Sequence, residues 1–306
     1  MTSVVPTTVL PLIIDAHVHI WKRTMIPDSL LRAYLEPLLV LDGIFDLSGD
    51  RMNDWPMSQV RAEDLVEHMV ISGIDRSVLL PLDFGLVDPP QAGVEEYNDW
   101  VFEMAQLFPD KLIPFMGIDP QRKEALDLME KYIKRFDAKG IKIYPATGFY
   151  PNEERIRPFW DAVDDHGLVV LTHAGAAWGP LEEKYNRPSF FSEVLEEHQN
   201  MRLVIAHMGG KFRDEMYQLL ADHDNAYTDI SALQGWLPSN PEVAISRLQE
   251  ASRRIPERVL FGSDWPLFDL AFSHANWVRF VKEQPWGDQS MKERLFGDNF
   301  AHLMRR

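Results

Sequence analysis

A chain of 306 residues, 45% hydrophobic and 25% charged, carries ample material for a packed core, which argues against disorder. Its formal net charge of −16 repels phosphate backbones and anionic lipid surfaces, so neither nucleic-acid nor membrane binding is expected. With no cysteine, disulfides, thiolate metal sites and cysteine nucleophiles are excluded, and any transition metal must rest on histidine and carboxylate.

The same lack of disulfides points to the cytoplasm. The apolar run Val9 to Ile14 is too short for a membrane span and follows no basic residue, so it does not read as a signal peptide. The first predicted strand is Leu12 to Ala16, followed by a polar, proline-containing insertion at roughly residues 22–58. Helical spacing begins near Gln59, sets Leu65, Val66, Met69 and Val70 on one face, and closes at Gly73. Arg76 to Leu82 is strand two, a helix follows near 94–107, and Leu112 to Ile118 is strand three. Leu126, Met129, Ile133 and Phe136 recur at helical spacing over 122–137. Ile141 to Tyr144, Leu168 to Thr172, Arg202 to Ala206, Ala226 to Ile230 and Val259 to Gly262 are strands four to eight. Helices near 153–165, 189–198, from about 212, and 241–253 separate them, and helices near 271–283 and 290–304 finish the chain.

Eight strand–helix units with continuous apolar strands predict a (β/α)8 barrel, one domain over residues 1–306. An open doubly wound sheet is the alternative, but the G-x-G-x-x-G turn after strand one is missing.

Active groups in a barrel sit at the C-terminal ends of strands. Strand one ends Asp15-Ala16-His17-Val18-His19, and residues two apart in an extended segment point the same way, so both imidazoles aim at the mouth. Strand four carries Lys142, strand five ends at His173, strand six at His207 and strand eight at Asp264. A single buried histidine is more often a core residue than a ligand. Here four of the 10 histidines stand at strand ends, where imidazoles without a metal would compete for partners. The set points to a divalent metal on His17, His19, His173 and Asp264. His68, His166, His198, His223, His274 and His302 read as ordinary structural residues.

The segments IIDAHVHIW, GIKIYP, VVLTHAG, VIAHMGG, VLFGSDWP and GDNFAHLM resemble the amidohydrolase superfamily, in the branch of aminocarboxymuconate-semialdehyde decarboxylase and related lactonases and hydrolases. The resemblance runs over nearly the whole chain. It implies zinc or a similar ion on His17, His19, His173 and Asp264, with Asp264 also taking a proton from water. His207 would lie beside the metal, polarising substrate or assisting proton transfer with one ion, or binding a second. Lys142 stands where some superfamily members carry a carboxylated lysine bridging two metals, so one ion or two are both open.

The leading expectation is a hydrolase acting on an amide, lactone or ester of a small, flat substrate. A decarboxylase of an aromatic or dienoic acid is the alternative, and a non-catalytic binding protein the third. Substrate contacts are sought at Trp21, Tyr144, Trp178, Arg213 and Trp265, and in a wider set that includes Arg51, Trp55, Asp83, Phe84, Phe149, Tyr150, Lys211 and Trp236. A homodimer is the default assembly for an enzyme of this size.

Overall fold

The computed structural model describes residues 12–42, 57–270 and 272–305. Its strands, in chain order, are β1 (Ile14–Val18), β2 (Arg76–Leu79), β3 (Leu112–Pro114), β4 (Met116–Gly117), β5 (Gly140–Ile143), β6 (Val169–Thr172), β7 (Arg202–Ile205), β8 (Ala226–Asp229) and β9 (Val259–Leu260). Each pairs in parallel with the next inside two runs, β1-β2-β3 and β4 to β9.

Predicted strand three is the place where the runs divide. Pro114 has no N–H to give to a ladder. The next residue resumes it, the Phe115 N–H donating to Leu79 O at 3.0 Å. At the other edge the ring closes, with Ala16 N–H to Phe261 O at 2.9 Å, Asp264 N–H to His17 O at 2.8 Å and His19 N–H to Trp265 O at 2.8 Å. The result is a (β/α)8 barrel, as the alternation of apolar runs and helices predicts.

Helices cover the outside: α1 (Asp28–Asp42), α2 (Ala62–Ser72), α3 (Val94–Leu107), α4 (Ala125–Phe136), α5 (Arg157–Asp165), α6 (Ser192–Glu197), α7 (Arg213–Asp222), α8 (Pro241–Arg254), α9 (His274–Glu283), α10 (Gln289–Glu293) and α11 (Asn299–Arg305). Gly73 ends α2 with φ 72°, donating its N–H to the carbonyls of Met69 and Val70, the left-handed cap that glycine takes without a Cβ penalty. α1 lies in the insertion after β1; residues 43–56 of that insertion are outside the described residues.

Two apolar shells result. Strand side chains facing the helices pack with Leu65, Met69, Trp100, Met129, Trp160 and Trp277. Those facing inward, including Ile14, Ala16, Val78, Phe115, Leu171 and Val204, pack together with Phe300 and Leu303 of α11. Helix faces differ from the predicted spacing in two places. Val70 is 67% exposed, and on α4 the buried set is Ala125, Leu128, Met129 and Tyr132 while Leu126 is 41% exposed. Periodicity finds a helix but locates its buried face only to within about one residue's rotation. Predicted helix 290–304 is broken by a wide turn at Arg294–Asp298, between α10 and α11.

A Cβ on Gly117 would collide with the backbone carbonyl of Pro81, which cannot swing away. Gly117→Ala should therefore lower the unfolding free energy by about 1–3 kcal/mol, an overpacking cost. Chemical denaturation followed by circular dichroism measures it; an unchanged midpoint would show that β4 shifts freely.

Candidate metal centre

The two histidines of β1 reach the mouth through an irregularity. The β1–β2 register shifts between Asp15 and Val18. Such a bulge re-aims the residues beyond it. Asp15 therefore faces α9, while His17 and His19 face the mouth beside Asp264. His19 Nε2 lies 3.0 Å and His17 Nε2 3.5 Å from Asp264 Oδ1. These three side chains are buried and form a group whose donor atoms are spaced to hold a metal ion.

Each imidazole is oriented by an atom behind it. Leu80 O can only accept, so His19 donates from Nδ1 at 2.6 Å and presents Nε2 to the cavity. His17 Nδ1 lies 2.9 Å from Asp229 Oδ2 and 3.1 Å from Ser231 Oγ, again freeing Nε2. His173 donates from Nε2 to Ala176 O at 2.7 Å and presents Nδ1. Ser231 Oγ donates to Asp229, so it accepts from His207 Nδ1 at 2.8 Å, and His207 Nε2 faces inward. His207 Nε2 and His173 Nδ1 meet at 3.2 Å, lone pair to lone pair in the neutral rings.

Electrostatics keep the His17, His173 and His207 rings neutral. Burial, and then the Lys142 ammonium, hold His17 well below the usual imidazole range and bring His173 down to about 3. Burial and the neighbouring imidazoles do the same to His207. Burial pushes the Asp264 carboxyl up, against the pull of His19 and Lys142. Lys142 is fully buried and is drawn down to about 8 by burial, with Asp264 and Asp229 opposing. Its Nζ lies 3.3 Å from His17 Nε2.

Four imidazole lone pairs and one carboxylate thus converge, with Lys142 as the ammonium beside them. A divalent cation is the group that such a donor set accommodates, since hard and borderline metals take neutral imidazole nitrogen and carboxylate oxygen. The backbone is unusual at the same points: His207, Met208 and Asp264 have φ of 59°, 51° and 56°. Left-handed conformations in non-glycine residues cost free energy and persist where the surroundings enforce them. One enforcing contact is close packing of the loops after β6 and β7, where a Cβ on Gly210 would come 2.8 Å from Gly175 Cα.

The predicted substrate residues divide. Tyr144 and Trp178 line the cavity with the donors, and so do Leu82, Leu267 and the half-buried Tyr34 of α1. Tyr144 stacks on His173, with centroids 4.1 Å apart and planes at 11°. Phe84 packs edge-on to Tyr144 at 4.9 Å.

Three predicted contacts are placed elsewhere. Trp21 is fully buried in the core and donates from Nε1 to Met57 O at 2.7 Å. Trp265 packs against His68 and His274 instead of lining the cavity. Arg213 opens α7 and approaches Glu250 at 3.5 Å. A tryptophan or arginine next to a strand end in sequence can face either side of the strand, and these face away.

In the wider set, Asp83 pairs with Arg122, Lys211 pairs with Glu183, Phe149 is buried, Tyr150 packs on Tyr185, and Trp236 is 43% exposed. Arg51 and Trp55 lie outside the described residues.

Sequence reasoning passes over Asp229 and Ser231. Asp229 ends β8, and its position at a strand's C-terminal end was the available signal. His274, expected as an ordinary structural residue, places its Nε2 2.8 Å from Asp15 Oδ2 with both side chains wholly buried. Asp15 Oδ1 accepts the backbone N–H groups of His17 at 3.1 Å and Ser263 at 3.0 Å. One carboxylate therefore fastens the residue before Asp264 to the start of the H-x-H segment. Asp15→Ala should lower stability by about 2–5 kcal/mol, from several buried donors left unpaired. Asp15→Asn should cost less, and equal losses in the two variants on chemical denaturation would sink this account.

The amidohydrolase family profile matches residues 14–305. A D-ribose/D-allose-binding protein of Pseudomonas aeruginosa is 28% identical over 163 residues, 49% of this chain and 47% of that protein. The chain thus spans about half the length of the curated relative it matches. An uncharacterised TIM-barrel protein from Bordetella bronchiseptica superposes with a TM-score of 0.70 at 20% identity, covering 95% of this chain and 97% of that one. A 5-carboxyvanillate decarboxylase from Sphingomonas paucimobilis superposes at 0.68 with 14% identity, covering 96% and 99%. A probable 2-pyrone-4,6-dicarboxylic acid hydrolase from Acinetobacter baumannii does so at 0.63 with 15% identity, covering 95% and 98%. These structures share the barrel; the profile match over residues 14–305 makes the chain a member of the amidohydrolase family.

Proposed function

We propose that this amidohydrolase-family enzyme is a hydrolase that uses one divalent cation, zinc by preference of the donor set, to open a lactone, ester or amide of a small flat molecule. His17, His19, His173 and Asp264 would hold the ion. The observation that carries the reading is the convergence of neutral imidazole lone pairs and the Asp264 carboxylate on one cavity. A bound divalent cation lowers the pKa of water to around 7, making hydroxide available at neutral pH.

The chain's own groups supply the rest. Asp264 Oδ orients the water and takes its proton, a role helped by burial that raises the affinity of this carboxyl for a proton. His207 presents the Nε2 lone pair to the same cavity, where it accepts a hydrogen bond and helps steer the proton that Asp264 has taken on to the leaving atom. Lys142, as ammonium, donates to the oxygen on which negative charge develops. A carboxylated Lys142 would instead add an acidic ligand, and His207 would then help to hold a second ion. Tyr144, Trp178 and Tyr34 form an aromatic wall suited to a flat substrate.

That wall also supports a second reading, decarboxylation of an aromatic acid, the activity named for the Sphingomonas structure. Water labelled with oxygen-18 separates the two: label in the product supports hydrolysis, while carbon dioxide released without label overturns it. Asp264→Asn should lower kcat by about 10²–10⁴-fold, the usual worth of a general base, with the circular dichroism spectrum unchanged. Full turnover in that variant would remove Asp264 from the mechanism. Asp229→Asn should weaken metal affinity by about 10–100-fold in chelator competition, because it disturbs the orientation of His17. Metal analysis finding two ions, with a native mass larger by one carbon dioxide, would replace the one-ion arrangement.

A further inference from the structure

We infer that a small oxyanion of the phosphate class binds between α7 and α8, held by the guanidinium groups of Arg213 and Arg247 and by the Tyr217 hydroxyl. This site is separate from the cavity at the barrel mouth and does not depend on the reaction proposed for it.

Arg213 and Tyr217 stand one turn apart on α7, and Arg247, Glu250 and Arg254 share a face of α8. Three guanidinium groups meet there around one carboxylate. Glu250 is shared, with Arg254 at 3.0 Å and Arg213 at 3.5 Å. Arg247 has no ion pair among the described residues; its guanidinium lies 5.6 Å from the centroid of the Trp236 ring. It is half-buried, and Arg213, a like charge, and Glu250, an opposite one, both lie close enough to act on it.

Such a surplus runs against the composition. The chain has 47 acidic residues for 31 basic ones, so carboxylates are plentiful. Elsewhere on the surface they are used: Lys131 bridges Glu95 and Asp99, and Arg187 pairs with Glu215. Three arginines around the single carboxylate of Glu250 leave a surplus of positive charge that a further anion would offset.

A second observation is independent of charge. Tyr217 is 1% exposed, yet its buried hydroxyl has no hydrogen-bond partner, and the buried Arg213 Nε makes no hydrogen bond beyond its 3.5 Å ion pair with Glu250. Buried polar groups are ordinarily paired, so the orphaned phenol marks an absent partner. The charges of Glu250, Arg254, Arg213 and Arg247 all act on this phenol, which places it inside the cluster.

The donors select the ligand class. Guanidinium forks bind phosphate and carboxylate oxygens in pairs. Two forks and a phenol offer more donors than the two oxygens of a carboxylate use, and a phosphate presents enough. The loop that carries His207 leads directly into Arg213, so the anion would also secure the start of α7.

Titration of the metal-loaded enzyme with inorganic phosphate, at constant ionic strength set by sodium chloride, tests the site. A saturable rise in melting temperature is expected. Arg247→Gln and Arg213→Gln should each remove it, and Tyr217→Phe, which spares packing, should weaken binding roughly tenfold by losing one charge-assisted hydrogen bond. Glycerol phosphate in place of phosphate distinguishes an organic phosphate, which would bind tighter, from the free ion, which would bind at least as well. No saturable rise in the parent enzyme, or a rise that persists in both arginine variants, overturns the proposal. Melting temperatures in chloride alone show whether each variant is folded.

Discussion

The seam between β9 and β1 is the constraint on which the rest of the structure depends. A barrel must join its last strand to its first, and here the joining hydrogen bonds run through residues of the candidate centre. Asp264 donates its N–H to His17 O, and His19 donates to Trp265 O. The backbone that closes the ring therefore also sets the spacing of His17, His19 and Asp264. Metal geometry and barrel closure cannot be varied independently, and a side chain that disturbs one disturbs the other.

Holding those groups together has a cost that the surroundings must offset. Acceptors that face one another repel, and Asp264, His207 and Met208 sit in backbone conformations that non-glycine residues avoid. The compensation lies one layer out. Asp229 receives His17, the Ser231 hydroxyl and the backbone N–H groups of His207 and Ser231. Asp15 receives His17, Ser263 and His274. Two buried carboxylates thus organise the strands that meet at the centre.

Much of this arrangement is legible in the sequence. Parallel strands buried on both faces appear as apolar runs, and the residue that ends each run is the one that reaches the mouth. That logic places His17, His19, Lys142, His173, His207 and Asp264 around one cavity. It fails where direction matters more than position. Trp21 and Trp265 adjoin the centre in sequence but face the core, and Val70 and Leu126 fit a helical stripe but face solvent. The Asp15–His274 pair joins residues 259 positions apart, so no local pattern announces it. Asp229 was accessible in principle, but an acidic residue inside the run AYTDIS reads as part of a strand and not as its end.

What the barrel builds firmly and what it leaves adjustable differ in origin. The donors and their supporting carboxylates come from strands and their immediate exits. The cavity wall comes from connections: Tyr34 from the inserted α1 and Trp178 from the loop after β6. Loops tolerate sequence change better than barrel strands, because fewer closure and packing constraints bear on them. Barrels at 14% and 15% identity to this chain accordingly include a decarboxylase and a probable hydrolase. Fold alone does not decide between such chemistries. The decision rests with groups that touch the reacting molecule, and Lys142, which lines the cavity beside His17, is the one that would weigh most under the proposed reading. As an ammonium it is the hydrogen-bond donor of a cavity otherwise rich in acceptors. As a carbamate it would be one more acceptor, and only a second cation would offset the change.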